Sequence, residues 1–263
     1  MHQFFTLLPG WEYGLTRPQL TYLPIHHPAL HGRRGVQLSD LHMNRYLDRH
    51  DHVIEIIRDL SPDWIFATGD LLDLPRGLPH LFRFLGGLRS IAPVFATLGN
   101  HDHYSGVPIH QFVELAKRHQ ITLLINEAAI IEVEGTELAI AGVDDPSLRR
   151  ARLHCIPPGS PDRFTLLLAH APNILEQLDE RHEVDLILCG HSHGGQWRPG
   201  NVRPFWLPPG CRGRASGLYE RGRHRLYVNR GLGWSMIPLR WNCAPEILVI
   251  EWRNRPDSRA AAS

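Results

Sequence analysis

The sequence predicts an α/β fold, in which helices pack on sheets whose strands end at a common site. Short apolar runs, typical of strands, alternate along the chain with segments of about a dozen residues that repeat apolar side chains at helical spacing. Five of the strand-like runs end directly in side chains that bind metals or transfer protons. In open α/β sheets, sites form in the crevice beyond the carboxyl ends of the strands, so we expect one site at that edge.

The first half of the chain contains three strand–helix pairs. The strand GVQLSD precedes RHDHVIEIIRDL, in which Val53, Ile57 and Leu60 share one helical face. The strand DWIFATGD precedes LPHLFRFLGGLRSI, which repeats leucine at helical spacing. The strand PVFATLGN precedes VPIHQFVELAKRHQ, a third helix with Phe112 and Val113 on its predicted buried face.

The second half is predicted to contain mainly strands. Two of them, AAIIEVE and TELAIAGV, flank a turn at Gly135, and FTLLLAH and VDLILCGHSHGG follow. Between these last two strands we predict a helix from Pro172 to about Arg181. The C-terminal part is rich in Gly, Pro and Trp and contains a predicted hairpin, SGLYERGRHRLYVNRG.

The chain of 263 residues is predicted to form one domain at residues 33–255, between an N-terminal extension at 1–32 and a tail at 256–263. Residues 196–217 are predicted to form a loop at the rim of the site. The four cysteines are widely spaced without a CxxC pair, which argues against a zinc ribbon or a disulfide framework and indicates a reducing compartment. No run approaches the roughly 18–20 apolar residues of a membrane span, so we expect a cytoplasmic protein.

The groups at the five strand ends have the chemistry of metal ligands and proton carriers. They are Asp40-x-His42, Gly69-Asp70, Gly99-Asn100-His101-Asp102, His170 and Gly190-His191-x-His193. Residues two apart in an extended chain project to the same side, so each i, i+2 pair can serve one ion or one cluster. The glycines at 69, 99 and 190 are expected to let the backbone turn sharply where a strand stops.

The donor set indicates two metal ions. It combines carboxylate, amide oxygen and imidazole without thiolate, which suits Mn²⁺, Fe or Zn²⁺ better than Ca²⁺ or Cu(I). One ion that leaves room for a substrate cannot use every donor, whereas two ions with a bridging carboxylate can. The seven predicted ligands are Asp40, His42, Asp70, Asn100, His170, His191 and His193.

Five motifs, DLH, GDLLD, GNHD, AHAP and GHSHGGQ, occur in this order between residues 36 and 196. As an ordered set they resemble the calcineurin-like metallophosphoesterase superfamily. The resemblance implies a four-layer α/β/β/α sandwich with a dinuclear metal site at the C-terminal ends of the strands, and hydrolysis of a phosphoester. The later stretch GLYERGRHRLYVNRGLGWSMIPLRWNCAPEI resembles a bacterial, often membrane-associated branch of phosphodiesterases, which includes a UDP-2,3-diacylglucosamine pyrophosphatase of lipid A synthesis.

The resemblance also implies a role for each residue of the site. The first metal takes Asp40, His42 and His193, the second takes Asn100, His170 and His191, and Asp70 is shared by both. His101 matches the catalytic histidine of the family, and Asp102 is its orienting partner. Mn²⁺ is the expected metal, with Fe, Zn²⁺ and Mg²⁺ as alternatives. Asp73 in GDLLD is predicted mainly to cap the turn before Pro75, with a hydrogen bond to a ligand as the alternative.

The rim loop follows the metal histidines directly and mixes arginines with aromatic side chains. From Gly194 to the C-terminus, twelve arginines stand against four acidic residues. A basic, aromatic rim suits a substrate with a phosphate head and an apolar tail, or an anionic membrane surface. We predict substrate contacts from Trp197, Arg198 and Arg203. The alternative is a proline-rich loop whose aromatic side chains pack on the body of the protein.

The leading functional hypothesis is hydrolysis of a phosphodiester or pyrophosphate bond, with UDP-2,3-diacylglucosamine as the specific candidate and peripheral contact with the inner membrane. The alternative is a soluble phosphodiesterase for cyclic nucleotides or other small diesters. An inactive protein-binding scaffold is disfavoured because every predicted ligand and His101 are present. We do not expect a nucleic-acid substrate, because the chain shows no base-stacking platform and no long basic stripe.

Overall fold

Two six-stranded sheets form the centre of the computed structural model, which describes residues 11–13, 17–198, 204–235 and 237–254. The first sheet contains, in spatial order, β2 (Gln19–His26), β14 (Glu246–Arg253), β3 (Arg34–Leu38), β4 (Trp64–Thr68), β5 (Val94–Thr97) and β6 (Thr122–Leu123). The second contains β11 (Gly217–Arg221), β12 (His224–Val228), β10 (Leu186–Cys189), β9 (Arg163–Leu168), β8 (Thr136–Gly142) and β7 (Glu127–Val133). A short ribbon pairs β1 (Trp11–Tyr13) with β13 (Leu239–Trp241).

The directions of the strands bring together the carboxyl ends of those strands that precede the predicted ligands. In the first sheet β3, β4, β5 and β6 are parallel, and in the second sheet β8, β9, β10 and β12 are parallel. The buried Gln37 side chain joins the two sheets just below this edge, because its amide nitrogen donates to the Cys189 carbonyl at 3.0 Å and to Thr68 Oγ1 at 2.9 Å. The carboxyl ends of strands from both sheets therefore meet along one edge.

Three helices cover the outer face of the first sheet. The α-helices among the described residues are α1 (Asp48–Leu60), α2 (Leu78–Arg89), α3 (Asn100–Tyr104) and α4 (Ile109–Arg118), of which α1, α2 and α4 contribute to the apolar cluster on this face. The predicted apolar stripes of α1 and α2 pack on this face, where Ile57 and Leu85 belong to the same buried apolar cluster as Ile65. On α4, Phe112 is buried as predicted, whereas Val113 is exposed.

The second apolar core lies between the sheets, and a third lies on the outer face of the second sheet. Phe66 and Phe95 of the first sheet pack between the sheets against Leu166 and Leu188 of the second. In the described part of the chain, the outer face of the second sheet is covered by loops and by 3-10 helices at Leu153–Cys155 and Pro172–Glu176. The α/β class and the two-sheet sandwich are thus confirmed, with 3-10 helices in the fourth layer.

The helix predicted from Pro172 to about Arg181 is wrong in type and length, because a 3-10 helix ends at Glu176. Asp179 explains part of the difference. Its carboxylate accepts a hydrogen bond from the Arg181 backbone amide at 3.0 Å, and such local bonds compete with a continuing helix. The predicted hairpin near the C-terminus is confirmed as β11 and β12, which pair antiparallel.

Residues assigned to an N-terminal extension include a strand of the first sheet. β2 pairs in parallel with β14 along its whole length, from Gln19 to His26, and buries Leu23 and Ile25. Pro24 within this strand is compatible with its edge position, where a missing amide hydrogen is tolerated. None of the described helices is long and apolar enough to cross a bilayer.

His50 near the start of α1 makes folding sensitive to acid. Its ring is buried beside Tyr46 and Phe84, and its Nδ1 accepts a hydrogen bond from the Leu47 amide at 2.9 Å. Burial, and then the positive charge of Arg49, lower the pKa of His50 from 6.5 to about 4. The unfolded chain therefore binds a proton between these pH values that the folded residue does not bind, so stability falls as the pH falls through this window.

We expect His50→Gln to remove part of this acid sensitivity. Glutamine keeps an oxygen that can accept the Leu47 amide, but it does not titrate. From pH 6.5 to pH 4, the free energy of unfolding of the wild type should fall by up to about 3 kcal/mol more than that of the variant. Denaturant unfolding at several pH values measures this difference, and parallel pH profiles for the two proteins would contradict the assignment.

Candidate metal centre

The seven predicted ligands converge at the edge where the two sheets meet. Each follows the carboxyl end of a strand by two to four residues, and His193 lies in the short turn after His191. All seven side chains are buried. The structure therefore brings together the full set: Asp40 and His42 after β3, Asp70 after β4, Asn100 after β5, His170 after β9, and His191 and His193 after β10.

One group of donors surrounds the first predicted metal position. Asp40, His42, Asp70 and His193 each offer a ligand atom, and these atoms lie within 4.8 Å of one another. The Nε2 atoms of His42 and His193 are 3.0 Å apart, and His193 Nε2 is 3.3 Å from Asp40 Oδ1. Lone pairs and carboxylate charge thus point at one small volume, as expected for a cation site.

A second group surrounds the second predicted position and shares Asp70 with the first. His170 Nε2 lies 3.1 Å from Asp70 Oδ2 and 3.1 Å from His191 Nδ1. The same Asp70 oxygen is 3.6 Å from His42 Nε2 in the first group. A carboxylate common to two donor groups is the arrangement that bridges two ions in dinuclear sites.

Two further observations show that these residues fit cations. The Nδ1 hydrogen of His170 is oriented toward the Thr68 carbonyl at 2.8 Å, which leaves Nε2 with a lone pair toward the cluster. Asn100 Oδ1 is buried and has no hydrogen-bond partner. Buried amide oxygens are normally paired, so an unsatisfied oxygen at this position is explained by a metal ligand.

The electrostatics of the cluster keep Asp70 ionised and His193 neutral, whereas the neighbouring aspartates outweigh burial and raise the pKa of His42 and of His170. Burial by itself raises the pKa of Asp70, but the adjacent His170 imidazole holds it well below its ordinary value. Burial and the neighbouring His42 lower the pKa of His193. An ionised bridging carboxylate and a neutral imidazole are the forms that coordinate divalent ions.

The backbone at the ligands is strained rather than extended. Asp40, His42, Asp70, His191 and His193 have φ of +50°, +44°, +49°, +70° and +50°, in the left-handed region that residues other than glycine rarely occupy. Strain of this kind persists only where the surrounding structure enforces it, and it clusters at functional sites. The i, i+2 pairs therefore meet through tight turns, not through the extended chain assumed from their spacing.

The glycines before the ligands serve two different needs. Gly69 has φ of +79° and makes the sharp turn that was predicted. Gly99 and Gly190 are required by close approach instead, because a Cβ at Gly99 would overlap the Asp70 carboxylate, and one at Gly190 would overlap Ser39 Oγ and the Asp40 carboxylate. A side chain at either position would displace a predicted metal ligand.

His101 lies beside the metal cluster at the start of α3, with about a third of its side chain exposed. Its backbone amide donates to Asp70 Oδ1 at 2.8 Å, and its Nδ1 is 2.8 Å from Asp73 Oδ1. The same Asp73 oxygen lies 2.6 Å from Nδ1 of His42, while Asn44 donates to the other oxygen. Asp73 thus orients both the predicted catalytic histidine and a predicted metal ligand.

The orienting contact expected from Asp102 is made by Asp73. The Asp102 carboxylate is fully buried and accepts hydrogen bonds from the backbone amides of Gly99, Leu71 and Leu72, so it ties together the loops that carry Asn100 and Asp70. Burial and the negative charge of Asp70 raise the pKa of Asp102 to about 7. The spacing of GDLLD was the available signal for Asp73, but an aspartate before Pro75 is equally typical of a turn.

Comparison with known proteins identifies the family. Residues 34–195 match the family described as calcineurin-like phosphoesterase. The chain belongs to this family. It is 34% identical over 225 residues to the uncharacterized metallophosphoesterase YkuE of Bacillus subtilis (strain 168), with 83% of this chain and 78% of YkuE covered. It is 31% identical over 249 residues to the phosphodiesterase YaeI of Escherichia coli (strain K12), with 92% and 89% covered. Among solved structures, TT1561 of Thermus thermophilus aligns with 76% of this chain and 90% of its own at a TM-score of 0.48 and 15% identity.

The candidate metal centre of this calcineurin-like phosphoesterase opens into a cleft of about 630 Å³. Trp197, for which a substrate contact is predicted, lines the cleft, and its indole donates to the Leu239 carbonyl at 2.9 Å. Arg198 does not line it, because its guanidinium turns toward Ser216 Oγ at 3.4 Å. Arg203 lies outside the described residues. The described lining residues are Asp70, Asn100, His101, Tyr104, Ser147, Leu148, His191, Ser192, His193, Gly195, Gln196, Trp197, Phe205, Trp206, Pro208, Pro209, Ser235 and Ile237.

Arg240 is a structural residue of the centre that the sequence did not single out. Its guanidinium is buried and donates to backbone carbonyls of Arg230, Gly231, Gly233 and His193. Gly231 and Gly233 in turn approach Asp40 so closely that neither has room for a Cβ. Arg240 therefore fixes the backbone on one side of the first metal position.

Proposed function

We propose that this phosphoesterase cleaves a phosphodiester or a pyrophosphate with two divalent metal ions, of which Mn²⁺ is the first candidate and Fe, Zn²⁺ and Mg²⁺ are alternatives. The observation that carries the proposal is the position of Asp70, whose carboxylate is common to the two donor groups and adjoins the cleft. The first ion would be held by Asp40, His42 and His193, the second by Asn100, His170 and His191, and both by Asp70. When bound, such ions activate water for attack on phosphorus and neutralise the phosphoryl oxygens.

His101 supplies the proton chemistry in this proposal. Its Nδ1 is held by Asp73, and the residue lines the cleft, so Nε2 is the ring nitrogen available to the substrate. When the bond between phosphorus and the leaving oxygen breaks, a proton from His101 converts that oxygen to a hydroxyl group. Asp73 maintains the ring plane and stabilises the protonated imidazole, because its own pKa stays well below the ordinary value despite burial, as a result of hydrogen bonds with His101 and His42.

Two substrate classes follow from this chemistry. UDP-2,3-diacylglucosamine of lipid A synthesis is the specific candidate for a pyrophosphate, and peripheral contact with a membrane would give access to it. Cyclic nucleotides and other small diesters are the alternative, supported by the similarity to YaeI, which is named a phosphodiesterase. The complete donor set speaks against an inactive scaffold that would bind a protein partner only.

The test is turnover by the full chain loaded with Mn²⁺. We expect hydrolysis of bis-p-nitrophenyl phosphate, and the same preparation is then given UDP-2,3-diacylglucosamine with and without detergent. Release of UMP from the glycolipid would support the lipid A assignment, and turnover of the synthetic diester alone would overturn it. A metal-loaded, folded protein that acts on neither compound would overturn the proposed function itself.

A further inference from the structure

The walls of the cleft differ in chemistry from its floor. The floor carries the metal centre and His101, whereas none of the described lining residues is an arginine, a lysine or a glutamate. Nine large apolar side chains are exposed in the described part of the chain, and four of them line this one cleft. They are Tyr104, Phe205, Trp206 and Ile237, with exposures of 66%, 79%, 63% and 50%.

Exposed apolar side chains that cluster at one cleft indicate a binding function, whereas exposed apolar side chains scattered over a surface do not. Single exposed apolar residues are normal on a protein surface, but a group that rims a polar site marks a binding surface. The ionic end of a substrate would lie at the metal centre, and the remainder would extend along Phe205, Trp206 and Ile237. Among the described lining residues, no arginine or lysine is present that could pair with further negative charge on this remainder.

Hydrogen bonds connect both sides of the apolar wall, which consists of Phe205, Trp206 and Ile237, to residues in or next to the metal centre. Gln196 is buried, and its side chain donates to the carbonyls of Ser235 and Ile237 at 3.1 and 2.9 Å and accepts from the Ser235 amide at 2.9 Å. On the other side, the Pro209 carbonyl lies 2.8 Å from Nε2 of the metal ligand His191. These hydrogen bonds hold Ile237, and the chain three residues after Trp206, close to the predicted metal ligands, and such preorganisation lowers the cost of binding a substituent.

We infer that the cleft recognises a phosphoester that carries a long apolar substituent, and that Phe205, Trp206 and Ile237 bind this substituent. The inference rests on the proposed function and narrows it to lipid-like esters, at the expense of cyclic nucleotides and other small polar diesters. Each methylene group that leaves water on such a wall strengthens binding by up to about fourfold. Substrate preference should therefore rise with the length of the apolar chain.

The test uses a series of alkyl p-nitrophenyl phosphates with methyl, butyl and octyl groups, each kept below its critical micelle concentration. The reacting bond and the leaving group are the same in all three, so differences report the alkyl group alone. We expect kcat/KM of the Mn²⁺-loaded full chain to rise at least about tenfold from the methyl to the octyl ester. In Trp206→Ala and Ile237→Ala, the ratio of octyl to methyl kcat/KM should fall toward one.

Val113→Ala is the matched control, because Val113 is also an exposed apolar residue but lies on α4 and does not line the cleft. Its octyl to methyl ratio should equal that of the wild type. Equal turnover of all three esters by the wild type would overturn the inference and leave the proposed function intact. Turnover of none of them would overturn the proposed function. A preference for octyl that survives both wall variants would show that other residues bind the chain, and it would also overturn the inference.

Discussion

Asp70→Ala should abolish the binding of both metal ions and reduce turnover by a factor of about a thousand or more. Asp70 is the carboxylate that the two donor groups have in common, and its Oδ2 lies 3.1 Å from His170 Nε2 and 3.6 Å from His42 Nε2. Without it, each ion loses a charged ligand, and no shared carboxylate remains to offset the repulsion between the two cations. The measurement is elemental analysis of the desalted protein together with turnover of bis-p-nitrophenyl phosphate.

Asp70→Asn separates loss of charge from loss of shape. The amide oxygen of asparagine can still accept the hydrogen bond that the His101 backbone amide donates to Asp70 Oδ1, so the loop should keep its conformation. We expect this variant to fold and to lose metal nearly as completely as the alanine variant. Circular dichroism checks the fold. Retention of two ions per chain in Asp70→Asn would contradict the bridging role.

His101→Ala is the second large effect, and it should leave the metal content unchanged while turnover falls by about a hundredfold to ten-thousandfold. His101 lines the cleft beside the metal centre, and we assign it to carrying a proton rather than to coordinating an ion. The loss of turnover should be largest for substrates whose leaving group is a weakly acidic alcohol, because such a leaving oxygen depends most on receiving a proton. Comparison of a p-nitrophenyl ester with an alkyl ester measures that dependence.

The competing assignment for His101 is that of a metal ligand. His42, Asp73 and His101 also bring three potential ligand atoms within 4.8 Å of one another, so a cation could be held there instead. Metal loss in His101→Ala would support that assignment and contradict ours. His110→Ala is the control for replacing a histidine, because His110 is exposed on α4 outside the cleft. It should keep both metal content and turnover.

The location of the site could be predicted from the sequence because the ends of the strands can be recognised there. Apolar runs that stop at a ligand place that ligand at the edge of a sheet, and Asp40, Asp70, Asn100, His170 and His191 all lie there. The resemblance of the ordered motifs to one family assigned each ligand to an ion. The same reasoning overlooked β2, because an edge strand that contains proline has a weak pattern.

The contacts within the site could not be predicted, because they depend on turns that spacing does not reveal. Asp102 follows His101 directly in the sequence, whereas Asp73 belongs to the earlier motif GDLLD. Only the three-dimensional path of the loops places Asp73 against the His101 ring. Left-handed backbone at Asp40 and His42 likewise has no signature in residue type. The rim shows the same limit, since sequence alone does not reveal that Trp206 faces the cleft while Arg198 turns toward Ser216.

The central claim, two ions that share Asp70, is tested most directly by anomalous X-ray diffraction from crystals of the Mn²⁺-loaded protein. We predict two peaks about 3.5–4 Å apart, one on each side of the Asp70 carboxylate. The first should lie among Asp40, His42 and His193, and the second among Asn100, His170 and His191. A single peak, or a peak held by His101 and Asp73 away from Asp70, would contradict it.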